Sequence, residues 1–318
     1  MRRILAAVAL TATLFAAAAC SSDDEKSDKA GVGTKVSVGV IPIVDVAPIY
    51  LGKQKGFFSG RGIDLTLVPE QGGAPIVKGV LAGKYQFGFS NVTSLMAAKT
   101  DGAPLKAVAN GVASTGRPGR DFSAVVVAGG SPIRSAKDLA GKRVAVNTLK
   151  NLGDTTVRQS VRQDKGNPAT IQFQAMPFSE MPAALQNQQV DAAWVVEPQL
   201  SEVLTQGGQV VASNYVDTAP DLTVAMYFTG TSVIDKDPEL VKNFTAAVNE
   251  SLQYAAGHPE EIRATVGTYT KINDVVRTAM ILPSWPNDIN RPSLERLATL
   301  GRADGIFTKP PVLDDLLP

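Results

Sequence analysis

The sequence predicts an α/β protein built from two similar lobes. Apolar, β-branched runs alternate with helical patterns through the first two thirds of the chain, which is typical of an α/β fold with parallel strands. Residues 80–91 and 185–196 both lead from a helix end through a polar turn into a half-buried strand. After residue 228 the pattern changes to helices alone. The repeated stretch favours two lobes over one long sheet, although common α/β patterns also produce such an echo by coincidence.

The amino terminus has the features of an export signal. Residues 1–20 carry two arginines before an apolar run that is too short to span a membrane. The single cysteine, Cys20, follows three alanines, so the segment resembles a bacterial lipoprotein signal in which Cys20 becomes the lipidated first residue. A plain signal cleaved nearby would make this cysteine incidental. Residues 21–34 are polar and charged, and we expect them to form a flexible tether.

Composition limits the possible classes of function. The chain has 318 residues, of which 44% are hydrophobic and 19% charged, so it can form one large or two medium domains. Its net charge of +1 gives no reason to expect a nucleic acid partner. One histidine, His258, and one cysteine cannot supply a His-based triad or a zinc site. We therefore expect no catalytic residue, no metal and no cofactor.

Residues 36–62 predict a strand, a loop and a helix in that order. The β-branched run from Val36 to Val40 suits a buried strand, and Pro42 ends it because proline has no N–H to donate. Pro48 stands where the first turn of a helix tolerates proline. Asp45 therefore lies in a loop at the carboxyl end of a strand, where open α/β sheets bind ligands.

Three short motifs within this stretch resemble the start of the solute-binding proteins of ABC importers, in the nitrate/sulfonate/taurine and thiamine-pyrimidine group. They are Ala47-Pro48 before the helix, Gly56-Phe57-Phe58 at its end, and Gly62-Ile63-Asp64 at the next strand. The resemblance extends from about residue 36 to about residue 261. It implies a two-lobed periplasmic-binding-protein-like fold of type II, with two hinge crossings, a ligand in the cleft, and C-terminal helices that return to lobe one.

The resemblance implies a division of the chain and a function. We assign residues 35–124 and 226–318 to lobe one and residues 125–225 to lobe two, with the crossings near 123–130 and 222–230. The expected function is an extracytoplasmic lipoprotein, acting as a monomer, that delivers a small solute to the permease subunits of an ABC importer. An enzyme on the same scaffold is the alternative, since the resembled group has pyrimidine-forming and dehydratase-type relatives. The export signal and the lack of a nucleophile–base pair disfavour it.

Candidate ligand contacts cluster after the predicted strands, because a cleft needs a few polar groups between apolar walls. The polar candidates are Asp45, Ser90, Asn91, Asn147, Thr148, Asp154, Thr155 and Glu197, with the adjoining Val46, Ala47 and Gly153. Trp194 and Tyr227 are candidate walls, although packing in the core explains Trp194 equally well. The resemblance places the stretch from Asp191 to Pro198 in the cleft, which favours a ligand contact by Glu197.

The charge of these loops bears on the kind of solute. An oxyanion requires Arg, Lys or helix N-termini that point towards it. Lys150 is the one basic residue in the candidate loops, and Arg117 and Arg120 lie in a turn-rich excursion. Acceptors flanking a Trp and a Tyr suit a flat, neutral or cationic molecule with N–H donors. We therefore expect a nitrogen-containing organic ligand, and an anion of the nitrate, sulfonate or taurine type is the alternative.

Overall fold

The structure is a computed structural model that describes residues 33–318. The predicted export signal, Cys20 and all but the last two residues of the predicted tether lie outside the described residues. Thr34, at the end of the predicted tether, is already the first residue of a strand. Between residues 33 and 318, no helix combines the length and the apolar character needed to cross a membrane.

The described residues contain two five-stranded sheets. The first holds β1 (Thr34–Val40), β2 (Ile63–Pro69), β3 (Phe87–Asn91), β4 (Leu105–Ala113) and β10 (Thr223–Gly230), in the spatial order β2-β1-β3-β10-β4. The second holds β5 (Ser123–Val127), β6 (Arg143–Val146), β7 (Gln172–Ala175), β8 (Ala192–Val196) and β9 (Gln209–Ala212), in the spatial order β7-β6-β8-β5-β9. We call the first sheet with its helices lobe one and the second lobe two.

The two sheets have the same plan, which confirms the echo seen in the sequence. The stretch 80–91 ends in β3 and the stretch 185–196 ends in β8, and each of these strands occupies the third position of its sheet. In both lobes the first three strands in spatial order run parallel. The expected parallel pairing is wrong for β5 and β10, which run antiparallel to both neighbours. Each of these two strands receives the chain from the other lobe, and it therefore enters its sheet in the reverse direction.

The central strands are covered on both faces. Every residue of β3, β5, β8 and β10 is buried, as expected for strands between two helical layers. The helices of lobe two are α4 (Leu152–Gln163), α5 (Met181–Gln186), α6 (Gln199–Thr205) and α7 (Asn214–Thr218). Lobe one begins with α1 (Ala47–Gln54), α2 (Gly73–Leu81) and α3 (Val92–Thr100).

The C-terminal helices return to lobe one, as predicted. They are α8 (Thr231–Lys236), α9 (Pro238–Gly257), α10 (Pro259–Tyr269), α11 (Asp274–Ala279), α12 (Arg291–Ala303) and α13 (Leu313–Leu316). The long helix α9 packs against α1 and β4, and the ring of Phe244 on α9 stacks on Phe87 of β3 at 3.8 Å between centroids. Helix α11 also contacts α6 of lobe two, so the C-terminal region touches both lobes.

The chain passes between the lobes twice, at residues 114–122 and 219–222. The two passages lie side by side, because the Ser114 backbone N–H donates to the Leu222 carbonyl at 2.9 Å. The passages expected at 123–130 and 222–230 are wrong, since these stretches are β5 and β10 inside the sheets. Apolar runs of this kind are typical of buried strands, and the sequence does not reveal which sheet each run joins.

Candidate functional site

A small cavity of about 20 Å³ lies between the lobes. Both lobes contribute to its wall, which carries the polar side chains Asp45, Asn91 and Asn147 and the aromatic side chains Phe89, Phe178, Trp194 and Tyr215. A volume of this size holds about one water molecule. The two lobes therefore close on each other in this structure, and a larger solute can enter only if they move apart.

Asp45 places a carboxyl group in this cavity from the short turn between β1 and α1. The turn is buried, and the side chain of Asp45 is 2% exposed. One carboxyl oxygen, Oδ1, has no hydrogen-bond partner among the described residues. Burial raises the pKa of Asp45 to about 7 despite a backbone hydrogen bond that lowers it. Near neutral pH, this acceptor can therefore exist in either protonation state, and an N–H donor from a solute would pair with it.

The end of β3 and the loop after β6 both adjoin the cleft. The Asn91 side chain caps α3 by accepting from the Ser94 backbone N–H at 2.9 Å, and Ser90 beside it is fully buried. In lobe two, Asn147 and Thr148 lie next to the start of α2. A Cβ built on Gly72 would lie 3.2 Å from Thr148 Oγ1 and 3.6 Å from Asn147 Nδ2. The sequence-predicted loops therefore do meet at the cleft.

A direct hydrogen bond joins the starts of two helices across the cleft. The Asn151 side chain caps α4 and donates from Nδ2 to Ser94 Oγ on α3 at 2.8 Å. Both of these polar side chains are buried. Asn151 and Ser94 were not among the predicted contacts, since neither follows a strand directly. A side chain that caps one helix while bonding to the other lobe links the lobes in their closed arrangement.

The first turn of α4 contains three predicted site residues that lie beside the cavity without lining it. A methyl group added to Gly153 would overlap the Trp194 ring, so this glycine lets the ring pack against the helix. Asp154 accepts from the Lys150 backbone N–H at 2.9 Å, and burial raises its pKa to about 6. Its other carboxyl oxygen and the Thr155 hydroxyl are buried without partners among the described residues.

Trp194 is both a wall of the cavity and part of the core of lobe two. The indole is 2% exposed and meets Phe178 and Tyr215 edge to face at 5.2 and 6.1 Å between centroids. Its Nε1–H donates to Ser123 Oγ at 2.9 Å. A buried polar partner fixes the plane of a Trp ring, so this wall is rigid.

Glu197 has a different environment from the one predicted for a ligand contact. The residue is fully buried, and it does not line the described cavity. Its carboxylate accepts from the Ser201 backbone N–H and hydroxyl at 3.0 and 2.9 Å, and from the Ile281 backbone N–H at 2.9 Å. Burial raises the pKa of Glu197 to about 7, although these hydrogen bonds act to lower it.

The remaining predicted residues lie behind the cavity. Val46 and Ala47 are buried where the turn after β1 enters α1. Tyr227 packs between Phe89 and Phe244, at 5.2 and 6.2 Å between ring centroids, and its hydroxyl has no partner among the described residues. Burial, followed by the nearby charge of Asp45, raises the pKa of Tyr227 well above its ordinary value. The phenol therefore stays neutral and keeps its proton.

Sequence reasoning missed three aromatic residues of the wall. Phe89 precedes the predicted Ser90 and Asn91 in the same strand, so its position near a strand end could have indicated it. Phe178 lies in the loop after β7, and the same rule applied to that strand would have found it. Tyr215 belongs to α7, a five-residue helix too short to leave a periodic pattern. Within residues 33–318, no group of three His, Cys, Asp or Glu side chains is placed to hold a metal ion.

Comparison with known proteins bears on these observations. Residues 43–262 match the family described as NMT1/THI5 like. The chain belongs to this family. A protein of Bacillus subtilis (strain 168) whose name assigns it to aliphatic sulfonate binding is 22% identical over 275 residues, or 84% of this chain and 78% of that protein. The resemblance predicted from three short motifs is thereby confirmed.

Two solved structures have the same fold. The alkanesulfonate-binding protein SsuA from Xanthomonas axonopodis pv. citri, bound to MOPS, is 16% identical with a TM-score of 0.75, covering 91% of this chain and 99% of that one. The nitrate-binding protein NrtA from Synechocystis PCC 6803 is 15% identical with a TM-score of 0.75, covering 90% and 86%. The predicted two-lobed binding-protein fold is therefore confirmed. The named relatives are binding proteins rather than enzymes, in agreement with the expectation for this NMT1/THI5 like chain.

Proposed function

We propose that this protein is the solute-binding component of an ABC importer, with a solute held between lobes that close around it. The observation that carries the proposal is the cavity between the lobes, with the unpaired carboxyl oxygen of Asp45 in its wall. A buried polar group without a partner lowers stability, and such groups concentrate where a ligand completes the hydrogen bond. Membership of the NMT1/THI5 like family and the names of the relatives support the same reading.

The partners and location belong to the same proposal. The importer's permease subunits would receive the solute from the closed protein, which acts as a monomer outside the cytoplasm. Cys20 would carry the lipid that holds the protein at the membrane, and the polar residues 21–34 would give it reach.

The solute is proposed to be a nitrogen-containing organic molecule. The wall holds one carboxyl and two amide side chains besides the hydroxyl of Tyr215 and the indole of Trp194, and Lys or Arg is absent from the wall as far as residues 33–318 describe it. Four aromatic side chains also line the cavity, beside aliphatic ones, and suit a flat ring. In this proposal, a solute N–H pairs with Asp45 Oδ1. Asn91 and Asn147 set its orientation, and Trp194 contacts its face.

A sulfonate or nitrate anion is the second candidate, because relatives carry these names. The helix starts of α3 and α4 lie at the cleft, and the backbone N–H groups of a helix start can bind an anion. The two candidates predict opposite effects of pH. Since the pKa of Asp45 is about 7, its carboxyl ionises between pH 6 and pH 8. Ionisation strengthens binding of a donor or cation and weakens binding of an anion.

Calorimetry at pH 6 and pH 8 with three probes tests the proposal. A 4-aminopyrimidine, ethanesulfonate and nitrate represent the two candidate classes. We expect the aminopyrimidine to bind more tightly at pH 8, and Asp45→Asn to reduce that binding by about 1–3 kcal/mol, because the N–H donor loses its charged acceptor. Tight binding of ethanesulfonate or nitrate that is stronger at pH 6 would establish the second candidate. Repeated turnover of a probe by the purified protein would contradict the binding function itself.

A further inference from the structure

Glu197 joins three parts of the chain through its buried carboxylate and its backbone carbonyl. Two of its hydrogen bonds, from the Ser201 backbone N–H and hydroxyl, stay within lobe two, at the start of α6. The third bond comes from the Ile281 backbone N–H at 2.9 Å, and Ile281 lies 84 positions further along the chain. The Glu197 carbonyl also accepts from the Val44 backbone N–H of lobe one at 3.0 Å. This residue therefore contacts lobe one through both its side chain and its backbone.

Ile281 begins a segment that is fixed to lobe one, residues 281–290, which we call the strap. Ser284 in the strap pairs with Ala113 at the end of β4 through two backbone hydrogen bonds. Trp285 Nε1–H donates to the Asp45 carbonyl at 3.3 Å. The Asn290 backbone N–H donates to Thr223 Oγ1 at the start of β10, at 3.0 Å. The bond between Glu197 and Ile281 consequently connects lobe two to a lobe-one segment that also contacts the turn of Asp45.

We propose that Glu197 is the latch of the closed form: its carboxylate holds the strap when the lobes meet and releases the Ile281 N–H when they part. The inference rests on the proposed closure of the lobes around a solute. Glu197 is thus a positioning residue, which acts on the solute through the strap and the turn of Asp45. Its position after β8 had suggested a direct ligand contact, and the latch replaces that role.

The hydrogen bonds that Glu197 accepts explain why a carboxylate is needed here. Above the pKa of Glu197, both of its oxygens accept backbone N–H groups and neither carries a proton to donate. A glutamine of the same size would place its amide NH₂ opposite either the Ser201 or the Ile281 N–H. Glu197→Gln must therefore lose at least one of these bonds without leaving a cavity.

The alternative is that Glu197 is a pivot whose bonds persist in both the open and the closed forms. Glu197 lies near a passage between the lobes, since its backbone N–H donates to the Phe122 carbonyl at 2.9 Å. A pivot would stabilise the fold without changing the balance between open and closed forms. The experiment must therefore measure that balance separately from stability.

Two variants at Ile281 separate the backbone bond from the side chain. Ile281→Pro removes the N–H itself, and the residue before it, Met280, already has the extended backbone (φ −50°, ψ 134°) that a following proline requires. Ile281→Ala keeps the N–H and is the matched control. Ser201→Ala is the second control, because it removes a bond to the same carboxylate within lobe two.

Spin labels on the two lobes report the open and closed populations of the full-length chain without any ligand. Exposed sites on α2 and α5 can carry them, through Lys78→Cys and Ala183→Cys in a Cys20→Ala background. We expect Ile281→Pro to raise the open-to-closed ratio about tenfold, the usual effect of losing one hydrogen bond. Glu197→Gln should raise the ratio by at most the same factor, because its amide can turn either its oxygen or its NH₂ towards the Ile281 N–H. The double variant should add little to Ile281→Pro. Ile281→Ala and Ser201→Ala should leave the ratio close to that of the unaltered protein.

Amide hydrogen exchange on the unaltered protein gives a test that needs no folded variant. The Ser201 and Ile281 N–H groups bind the same carboxylate, so a latch predicts faster exchange at Ile281, through opening of the lobes. Equal protection of the two amides, or distance distributions unchanged in Glu197→Gln and Ile281→Pro, would overturn the latch in favour of a pivot. A single distance between the two spin labels, unchanged in every variant and on adding each calorimetry probe, would instead count against lobe closure. That result would also count against the proposed function.

Discussion

Replacing Asp45 by asparagine should stabilise the protein at alkaline pH while weakening its binding of donor ligands. Burial raises the pKa of Asp45 from 3.8 to about 7 in the folded protein. A carboxyl group whose folded pKa is raised contributes stability that is fully present below its unfolded pKa. This contribution is lost as the pH rises through the folded pKa. The cost at pH 8 comes from keeping an ionised carboxylate in a site that offers its Oδ1 no partner, and asparagine has no such charge.

The pKa values give the size of the effect. A difference of about three pKa units at about 1.4 kcal/mol each corresponds to roughly 4 kcal/mol when the group is fully ionised. About 1.5 kcal/mol of this loss is already complete at pH 5, because the unfolded chain ionises first. The unfolding free energy of Asp45→Asn, relative to that of the unaltered protein, should therefore increase by roughly 2–3 kcal/mol between pH 5 and pH 8. This difference between two pH values is independent of small packing changes.

Urea unfolding at pH 5 and pH 8 measures the effect directly. Asp64→Asn is the matched control, since Asp64 is exposed on β2 and the same exchange there should change stability by less than about 0.5 kcal/mol at either pH. The unaltered protein and Asp45→Asn should both still lose some stability as the pH rises. The reason is that burial also raises the pKa values of Glu197 and Asp154, to about 7 and about 6. An equal advantage of Asp45→Asn at both pH values would refute the reasoning, as would undiminished binding of the aminopyrimidine.

Three further predictions concern packing, motion and anchoring. Gly153→Ala should cost about 1–3 kcal/mol of unfolding free energy because its methyl group overlaps the Trp194 ring. Gly257→Ala, where an added methyl meets nothing within 4 Å, should cost much less, and equal urea midpoints for the two would contradict this packing. Saturation with the tightest-binding calorimetry probe should reduce the radius of gyration in small-angle scattering, because the lobes close around the solute, and an unchanged profile at saturation would count against a hinge. Cys20→Ala should release the protein from the membrane fraction with probe binding intact, and a variant that stays in that fraction after a salt wash would exclude a lipid anchor on Cys20.

Much of the fold could be predicted from the sequence because its signals are local. The alternation of strands and helices is encoded by periodicity, and the echo between residues 80–91 and 185–196 indicated two lobes of one plan. The direction of β5 and β10 could not be predicted in this way. A fully buried strand has the same apolar pattern in either orientation, and the neighbours of β10 in the sheet, β3 and β4, lie more than a hundred residues earlier in the chain.

The candidate site was predictable where it depends on strand ends. Asp45 and Asn147 follow strands, Asn91 ends one, and all three residues line the cavity. Glu197 also follows a strand, but its surroundings depend on Ile281, a backbone donor that leaves no trace in residue type. Tyr227 could equally have pointed towards the cleft or towards α9, and the sequence gives no indication of which face of β10 the cleft adjoins. Position along a strand is therefore encoded locally, whereas the partner of a buried polar group is not.

The place of β10 within its sheet has a consequence for how the protein is made. β4 is joined to the rest of its sheet through β10, and β10 is separated from β4 in sequence by the whole of lobe two. A chain that emerges from its amino end can complete the sheet of lobe two before the sheet of lobe one has its fourth strand. Until residues 223–230 arrive, β3 and β4 each present an unpaired edge, which is a template for pairing with another chain. Such long-range pairing is slow to form, so these two edges stay open to pairing with other chains until β10 has been made and has docked.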